Sequence, residues 1–221
     1  MISKYKYYWL LLMIPLVFIL WFFINRNEQK PIRTLAYFGR KNTMQQGDTN
    51  YHTVKPFCFI NQYNEKTTEE TLKGKIYVTD FFFTTCQSIC PIMSTQLERV
   101  YKRFANNSSV MILSHTVEPE IDSIEILMQY AKLHNVTNHQ WLFVTGEKKQ
   151  LYDMARTSYL LNNETGNGDE NDFIHTQNFA LVDKERHLRG FYDGTDTTDV
   201  SRLITDITIL LEEYEYKEKH P

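Results

Sequence analysis

From residue 54 onward, short apolar and β-branched runs alternate with stretches whose apolar residues recur every three or four positions. The runs predict strands and the periodic stretches predict helices. Val54 to Tyr63 reads as a strand opening after Pro56, Asn64-Glu65-Lys66 as a turn, and Thr67 to Leu72 as the returning strand of a hairpin. Ile76 to Phe83 is nearly continuous in apolar and β-branched residues, the pattern of a central strand covered on both faces. Pro91 predicts a helix start, and Met93, Leu97, Val100, Tyr101 and Phe104 mark its buried stripe. Val110 to Val117 is the next strand, broken by Pro119, and Asp122 or Ser123 caps a helix to about His134. Gln140 to Val144 predicts a strand and Glu147 to Leu161 a third helix. Asn162 to Asp172 has no apolar residue and reads as a solvated loop. Phe179 to Asp183 and His187 to Tyr192 form a last hairpin, and Asp199 to Glu215 a closing helix. The order implies one α/β domain, a central mixed sheet with helices on both faces, preceded by a β-hairpin extension.

The N-terminal part follows another pattern. Tyr8 to Ile24 carries no charge, and its length falls within the roughly 17–25 apolar residues that cross a bilayer. Trp9 and Trp21 lie near its ends, where aromatic rings favour the interface. A cleaved signal peptide is the competing reading, with Lys4 and Lys6 as its basic region, but no small-x-small site follows Ile24. The expected organisation is an anchor in residues 1–30 (single transmembrane helix at about 8–24), a polar tether at 31–53, the domain at 54–216 and a tail at 217–221. The short leading segment stays cytoplasmic in this reading, which puts the domain on the extracytoplasmic side.

Residues 1–30 hold Lys4, Lys6, Arg26 and Lys30 against Glu28, a net of +3, so the chain's net −3 leaves −6 on the remainder. A mildly acidic domain lacks the basic footprint of a nucleic-acid binder. Glycine-rich phosphate loops, His-Glu-x-x-His and a nucleophile elbow are also missing from the sequence.

The chemistry concentrates where the Ile76–Phe83 strand gives way to the Pro91 helix, in Thr-Thr-Cys86-Gln-Ser-Ile-Cys90-Pro. Functional groups gather beyond the carboxyl ends of strands in open α/β sheets, and a helix start favours thiolate over thiol. Two such thiols can bind a soft metal or exchange disulfides. A structural staple gains little from closing so short a loop. A metal needs a third ligand; two thiolates and an imidazole suit Cu(I) and accept Cu(II) or Zn(II). Among seven histidines, His115 reads as a satisfied strand residue, while His175 sits between the polar loop and a strand. Cys58, between Phe57 and Phe59, reads as a small buried apolar residue.

Phe-Phe-Phe-Thr-Thr-Cys-Gln-Ser-Ile-Cys-Pro resembles the copper-site motif of the Sco/SenC family. Ser114 to Ser123 resembles that family's Asp-Pro-Glu-Arg-Asp-Thr segment, and Ile174-His175 with Phe179 to Asp183 its downstream histidine motif. The resemblance spans roughly residues 54–212. It implies a thioredoxin-like fold and a membrane-tethered copper metallochaperone that helps assemble the binuclear copper centre of cytochrome c oxidase subunit II. Cys86, Cys90 and His175 would then be the copper ligands, for Cu(I), Cu(II) or both. Gln87 and Ser88 stand where the family commonly has Pro and Asp, and Ile121 where it has Arg. Ser88 is placed to donate a hydrogen bond to a thiolate. The rival reading, a thiol-disulfide oxidoreductase acting on cysteines of the oxidase subunit or another exported protein, needs only Cys86 and Cys90. A redox or copper sensor also fits the residues, and a peroxidase fits them less well.

Overall fold

The computed structural model describes residues 33–43, 49–161, 166, 168, 169, 172–174 and 176–220, with Met13, Pro15 and residues 17–22 ahead of them. Residues 1–33 and 34–221 are separate units. In the first, residues 17–22 are helical. Among the described residues no helix is long and apolar enough to cross a membrane. Most of the span expected at 8–24 lies outside the described residues.

The second unit is built on a mixed sheet. After a two-stranded pairing of β1 (Asn42–Thr43) with β2 (Thr49–Asn50), the strands are β3 (Cys58–Asn61), β4 (Lys66–Thr68), β5 (Ile76–Phe82), β6 (Val110–Thr116), β7 (Trp141–Thr145), β8 (Asn178–Val182) and β9 (Leu188–Asp193). Their order across the sheet is β4-β3-β7-β6-β5-β8-β9, with β5, β6 and β7 parallel and the flanking pairs antiparallel. The helices are α1 (Cys90–Phe104), α2 (Ile124–Leu133), α3 (Lys148–Asp153) and α4 (Thr197–Lys219).

All of β5 is buried, as its apolar run requires. Strand alternation sends Ile76, Val78 and Phe82 to the layer shared with α1, α2 and α4, and Tyr77 and Phe81 to the layer under α3. Helices therefore cover both faces, and β5 and β6 end together with Phe82 opposite Thr116. The β3–β4 hairpin extends the sheet beyond β7, with Ile60 opposite Thr145.

Three expectations change. Cys58 is exposed, because alternation along β3 turns Phe59 and Asn61 inward and Cys58 outward. The third helix stops at Asp153 and continues as a π turn, Met154–Ser158. The wider turn sets Met154, Ala155 and Ser158 against the sheet, and Leu160 at φ +55° prevents the helix continuing. The closing helix is longer than expected at both ends. Asp196 caps it by accepting from the Thr198 N–H at 2.8 Å, and Lys217 and Lys219 pair with Glu213 and Glu215 one turn back.

The segment before β1 engages the sheet. Buried Arg189 donates to the carbonyls of Leu35 and Ala36, and its guanidinium stacks 4.1 Å from the Tyr37 ring. The same arginine pairs with Asp183 and Glu213, both at 2.9 Å. Since Val182 is paired with Tyr77, near the start of β5, this clasp sits at the opposite end of the sheet from the cysteines.

Candidate metal centre

Cys86 and Cys90 are brought together by the turn between β5 and α1. Ile89, the residue before α1, offers no side-chain oxygen to the first helical N–H groups. Sulfur takes that role: the Cys90 N–H donates to Cys86 Sγ at 3.4 Å. The Ser88 hydroxyl lies 3.6 Å from the same sulfur, on the side the sequence suggested. Pro91 occupies the first turn of α1, where a missing N–H costs nothing.

The two thiols differ in kind. Desolvation pushes the Cys86 thiol up, but hydrogen bonds from the Cys90 thiol, the Cys90 and Ser88 N–H groups and the Ser88 hydroxyl together outweigh it. They bring Cys86 down to about 7. Burial pushes Cys90 up to about 12, and its hydrogen bond to Cys86 adds to the rise. Near neutral pH Cys86 is therefore the thiol that ionises, while Cys90 keeps its proton.

Below Cys90 lies a carboxyl group that the sequence reading did not single out. Asp80 faces the α1 layer of β5, is 1 % exposed, and accepts from the Ser114 hydroxyl at 2.5 Å. Trp141 Nε1 in turn donates to Ser114 Oγ at 2.9 Å. Burial raises Asp80 to about 7, against the smaller pull of Ser114. The signal was present in sequence: one acid in an otherwise uncharged central strand.

A second missed residue is Asp122, expected as a possible helix cap. Ser123 caps α2 instead, accepting from the Ile126 N–H. Asp122 is fully buried and accepts from the hydroxyls of Thr84 and Thr116 and from the Thr84 N–H. Thr85 donates to Glu118 at 3.0 Å. The acidic segment after β6 therefore grips the residues immediately before Cys86. Ile121, within that segment, is 47 % exposed.

His175 lies outside the described residues. Its neighbours are placed: Ile174 is buried, and the Phe173 ring meets Phe83 edge-on at 5.4 Å between centroids. Residue 83 precedes Cys86 by three positions and residue 173 precedes His175 by two. The other described histidines are committed elsewhere. His115 is fully buried under Phe81, with Nδ1 3.1 Å from Thr79 Oγ1, and desolvation drops it to about 3. His134 pairs with Glu98, and His52 Nε2 bonds the Ser158 carbonyl at 2.8 Å. His187 is grouped with Asp183 and Glu185. There Asp183 is already occupied by Arg189 and by the N–H groups of Glu185 and His187.

A strand-end dithiol with one readily ionised sulfur and one that holds its proton can ligate a soft cation or attack a disulfide. The model of the SCO1/SenC family matches residues 45–212. The chain is 32% identical over 160 residues to the SCO1 protein homolog of Bacillus subtilis, covering 72% of this chain and 82% of that one. A solved structure of BsSco, a member of the Sco family of cytochrome c oxidase assembly proteins, superposes with TM-score 0.61 at 30% identity. That match covers 72% of this chain and 93% of the other. Arabidopsis thaliana ScoI, solved with copper bound, shares the fold at TM-score 0.57 and 24% identity, over 73% and 99% of the two chains. With a thioredoxin-like mixed sheet carrying Cys-x-x-x-Cys-Pro at the end of β5, the chain belongs to the SCO1/SenC family.

Proposed function

We propose that the chain is a membrane-anchored metallochaperone that carries copper for assembly of the binuclear copper centre in cytochrome c oxidase subunit II. Copper is its cargo, held by the thiolates of Cys86 and Cys90 and the imidazole of His175. The apolar segment at 8–24 tethers the domain on the extracytoplasmic side. One observation carries the three-ligand reading above the others: the Phe83–Phe173 contact, which joins the stretch leading into Cys86 to the stretch leading into His175. The donor set is soft and small, which favours Cu(I) and accepts Cu(II). Copper titration of the reduced chain, wild type against His175→Ala, is the test. Weakened binding and an altered Cu(II) spectrum in the variant support the reading, and equal affinity with identical spectra removes His175 from the site.

A second reading, a thiol-disulfide oxidoreductase, is favoured by the split between the two thiols. An attacking thiol works best with its pKa near ambient pH, which Cys86 meets, while Cys90 is buried beside it. If His175→Ala leaves oxidase assembly intact in cells while either cysteine substitution abolishes it, the reductase reading prevails.

A further inference from the structure

The turn that delivers Cys86 is held from outside its own sequence. The Cys86 N–H donates to the Phe83 carbonyl at 3.3 Å, closing a turn with Thr84 and Thr85 at its centre. Glycine, proline, asparagine and aspartate are the residues that shape turns by themselves, and both central positions here are β-branched. Each is tied instead to the acidic segment after β6. Asp122 accepts from the Thr84 N–H at 3.3 Å and from the Thr84 hydroxyl, and Glu118 accepts from the Thr85 hydroxyl at 3.0 Å.

The two carboxyl groups come from one closed piece of chain. The N–H groups of Ile121 and Asp122 both donate to the Glu118 carbonyl, at 3.0 and 2.9 Å, and the Glu118 N–H donates to Thr116 Oγ1 at 3.0 Å. The Val117 N–H donates to the Phe82 carbonyl at 2.8 Å, so the β5–β6 pairing continues past Thr116 and brings this piece level with the turn. Ser123, next in the chain, caps α2. The turn is thereby referenced to β6 and α2.

Asp122 is fully buried and accepts from an N–H and from the hydroxyls of Thr84 and Thr116. A buried carboxyl is a poor way to gain stability, because its desolvation consumes most of what its hydrogen bonds return. What it supplies is direction: two oxygens that accept from the turn and from β6 fix one against the other. That direction matters at the next residues. Cys86 Sγ takes the place of a cap on α1 by accepting from the Cys90 N–H at 3.4 Å. Cys86 is the last residue of the Phe83 turn, so the course of that turn decides where its sulfur lies.

We infer that Asp122 is a positioning residue for the dithiol, acting through Thr84 to set the Cys86 sulfur against the start of α1. This role rests on Cys86 as the reactive sulfur, which the copper and exchange readings share, and it is measurable without metal.

The test is amide hydrogen exchange by NMR on the reduced, metal-free full chain in detergent, labelled with ¹⁵N-cysteine. The chain has three cysteines, so Cys86 and Cys90 are read beside Cys58. Thr84→Val and Thr116→Val each take one hydroxyl from Asp122 and keep the side-chain shape, Thr84 from the turn and Thr116 from β6. Urea unfolding gives the stability each one loses. Thr84→Val should speed exchange of the Cys86 and Cys90 amides about tenfold, the worth of one such bond, while Thr116→Val leaves both within about twofold of wild type. Asp122→Ala should exceed Thr84→Val, because the Thr84 N–H loses its acceptor too. Asp122→Asn, which keeps an oxygen for that N–H, should restore part of the protection. Equal acceleration by Thr84→Val and Thr116→Val would show that Asp122 only stabilises the domain and would overturn the inference. Unchanged exchange at Cys90 in Asp122→Ala would overturn it as well. Should Asp122→Ala fail to fold, the two threonine variants decide alone, since both keep Asp122. With no copper present, none of these outcomes bears on which residues ligate the metal.

Discussion

Asp80→Asn should abolish a pH dependence of stability that the wild-type domain owes to one buried carboxyl. Asp80 sits in the middle of β5, 1 % exposed, with the Ser114 hydroxyl as its partner. Desolvation moves it from 3.8 to about 7. The folded-state value is raised, so the native state holds the proton more tightly than the unfolded chain. The associated stability is fully present below about pH 4 and is lost as pH rises through 7. A shift of about three units corresponds to about 4 kcal/mol. Between pH 5 and 8 roughly 3 kcal/mol of that should disappear, since the loss runs at about 1.4 kcal/mol per pH unit until the folded value is passed.

Asparagine keeps an oxygen for Ser114 and cannot ionise. Its amide brings a fixed penalty of about 1–3 kcal/mol if the new N–H groups find no acceptor, but that penalty does not vary with pH. The measurement is urea unfolding of reduced wild type and Asp80→Asn at half-unit steps from pH 5 to 8. Taking the difference between the two proteins cancels every other titrating group, including Cys86, whose lowered value acts in the opposite sense. The difference should move by about 3 kcal/mol in favour of Asp80→Asn as pH rises. Parallel curves would refute the argument, because they would mean that Asp80 titrates alike in the folded and unfolded chains.

Other consequences are as direct. Iodoacetamide should modify Cys86 with a midpoint near pH 7 and leave Cys90 largely unreacted, read by peptide mass spectrometry. Ser88→Ala removes one of the hydrogen bonds that lower Cys86, so that alkylation midpoint should move to higher pH. Asp122→Ala strands the hydroxyls of Thr84 and Thr116 and should cost about 2–6 kcal/mol in denaturant unfolding, at roughly 1–3 kcal/mol per donor left unpaired, with part-buried Thr84 toward the low end. A loss under 1 kcal/mol would show that water replaces the carboxylate at little cost.

The elements that were legible before the structure are those with a strong single period. The run Ile76–Phe83 reads as a buried strand because nearly every position is apolar, and α1 runs to Phe104 as its stripe predicts. Cys58 was misread because its neighbours are aromatic; only the register of β3 against β4 decides which way it turns. The π turn was illegible, since the apolar spacing of Leu151, Tyr152, Met154 and Ala155 fits an α-helix and a widened turn alike. At the site, the thiols announce themselves by spacing. Asp80 and Asp122 do not, because their meaning lies in partners over thirty residues away, namely Ser114 and Thr84. Long-range polar pairing leaves no local trace in a sequence.

The split between the two sulfurs also separates the two chemistries they support. Disulfide exchange begins at Cys86 alone, so its rate should rise with pH up to about 7 and then level off. In the proposed site copper takes both sulfurs as thiolates, so Cys90, at about 12, would have to surrender its proton to the metal throughout the neutral range. Below pH 7 the two sulfurs release two protons on binding, and above it one still must; in acid the imidazole of the proposed third ligand adds its own proton to the competition. Copper affinity should therefore fall by at least about a hundredfold per unit of acidification below 7, and still about tenfold per unit between 7 and 9. Competition titrations against a chelator of known pH dependence, set beside exchange rates with a small disulfide, measure both curves on one protein. An exchange rate that levels off while affinity keeps climbing means that Cys90 is a metal ligand and a bystander to the attack. Should affinity level off at 7 as well, Cys90 does not deliver its thiolate to copper, and the dithiol is left with exchange as its chemistry.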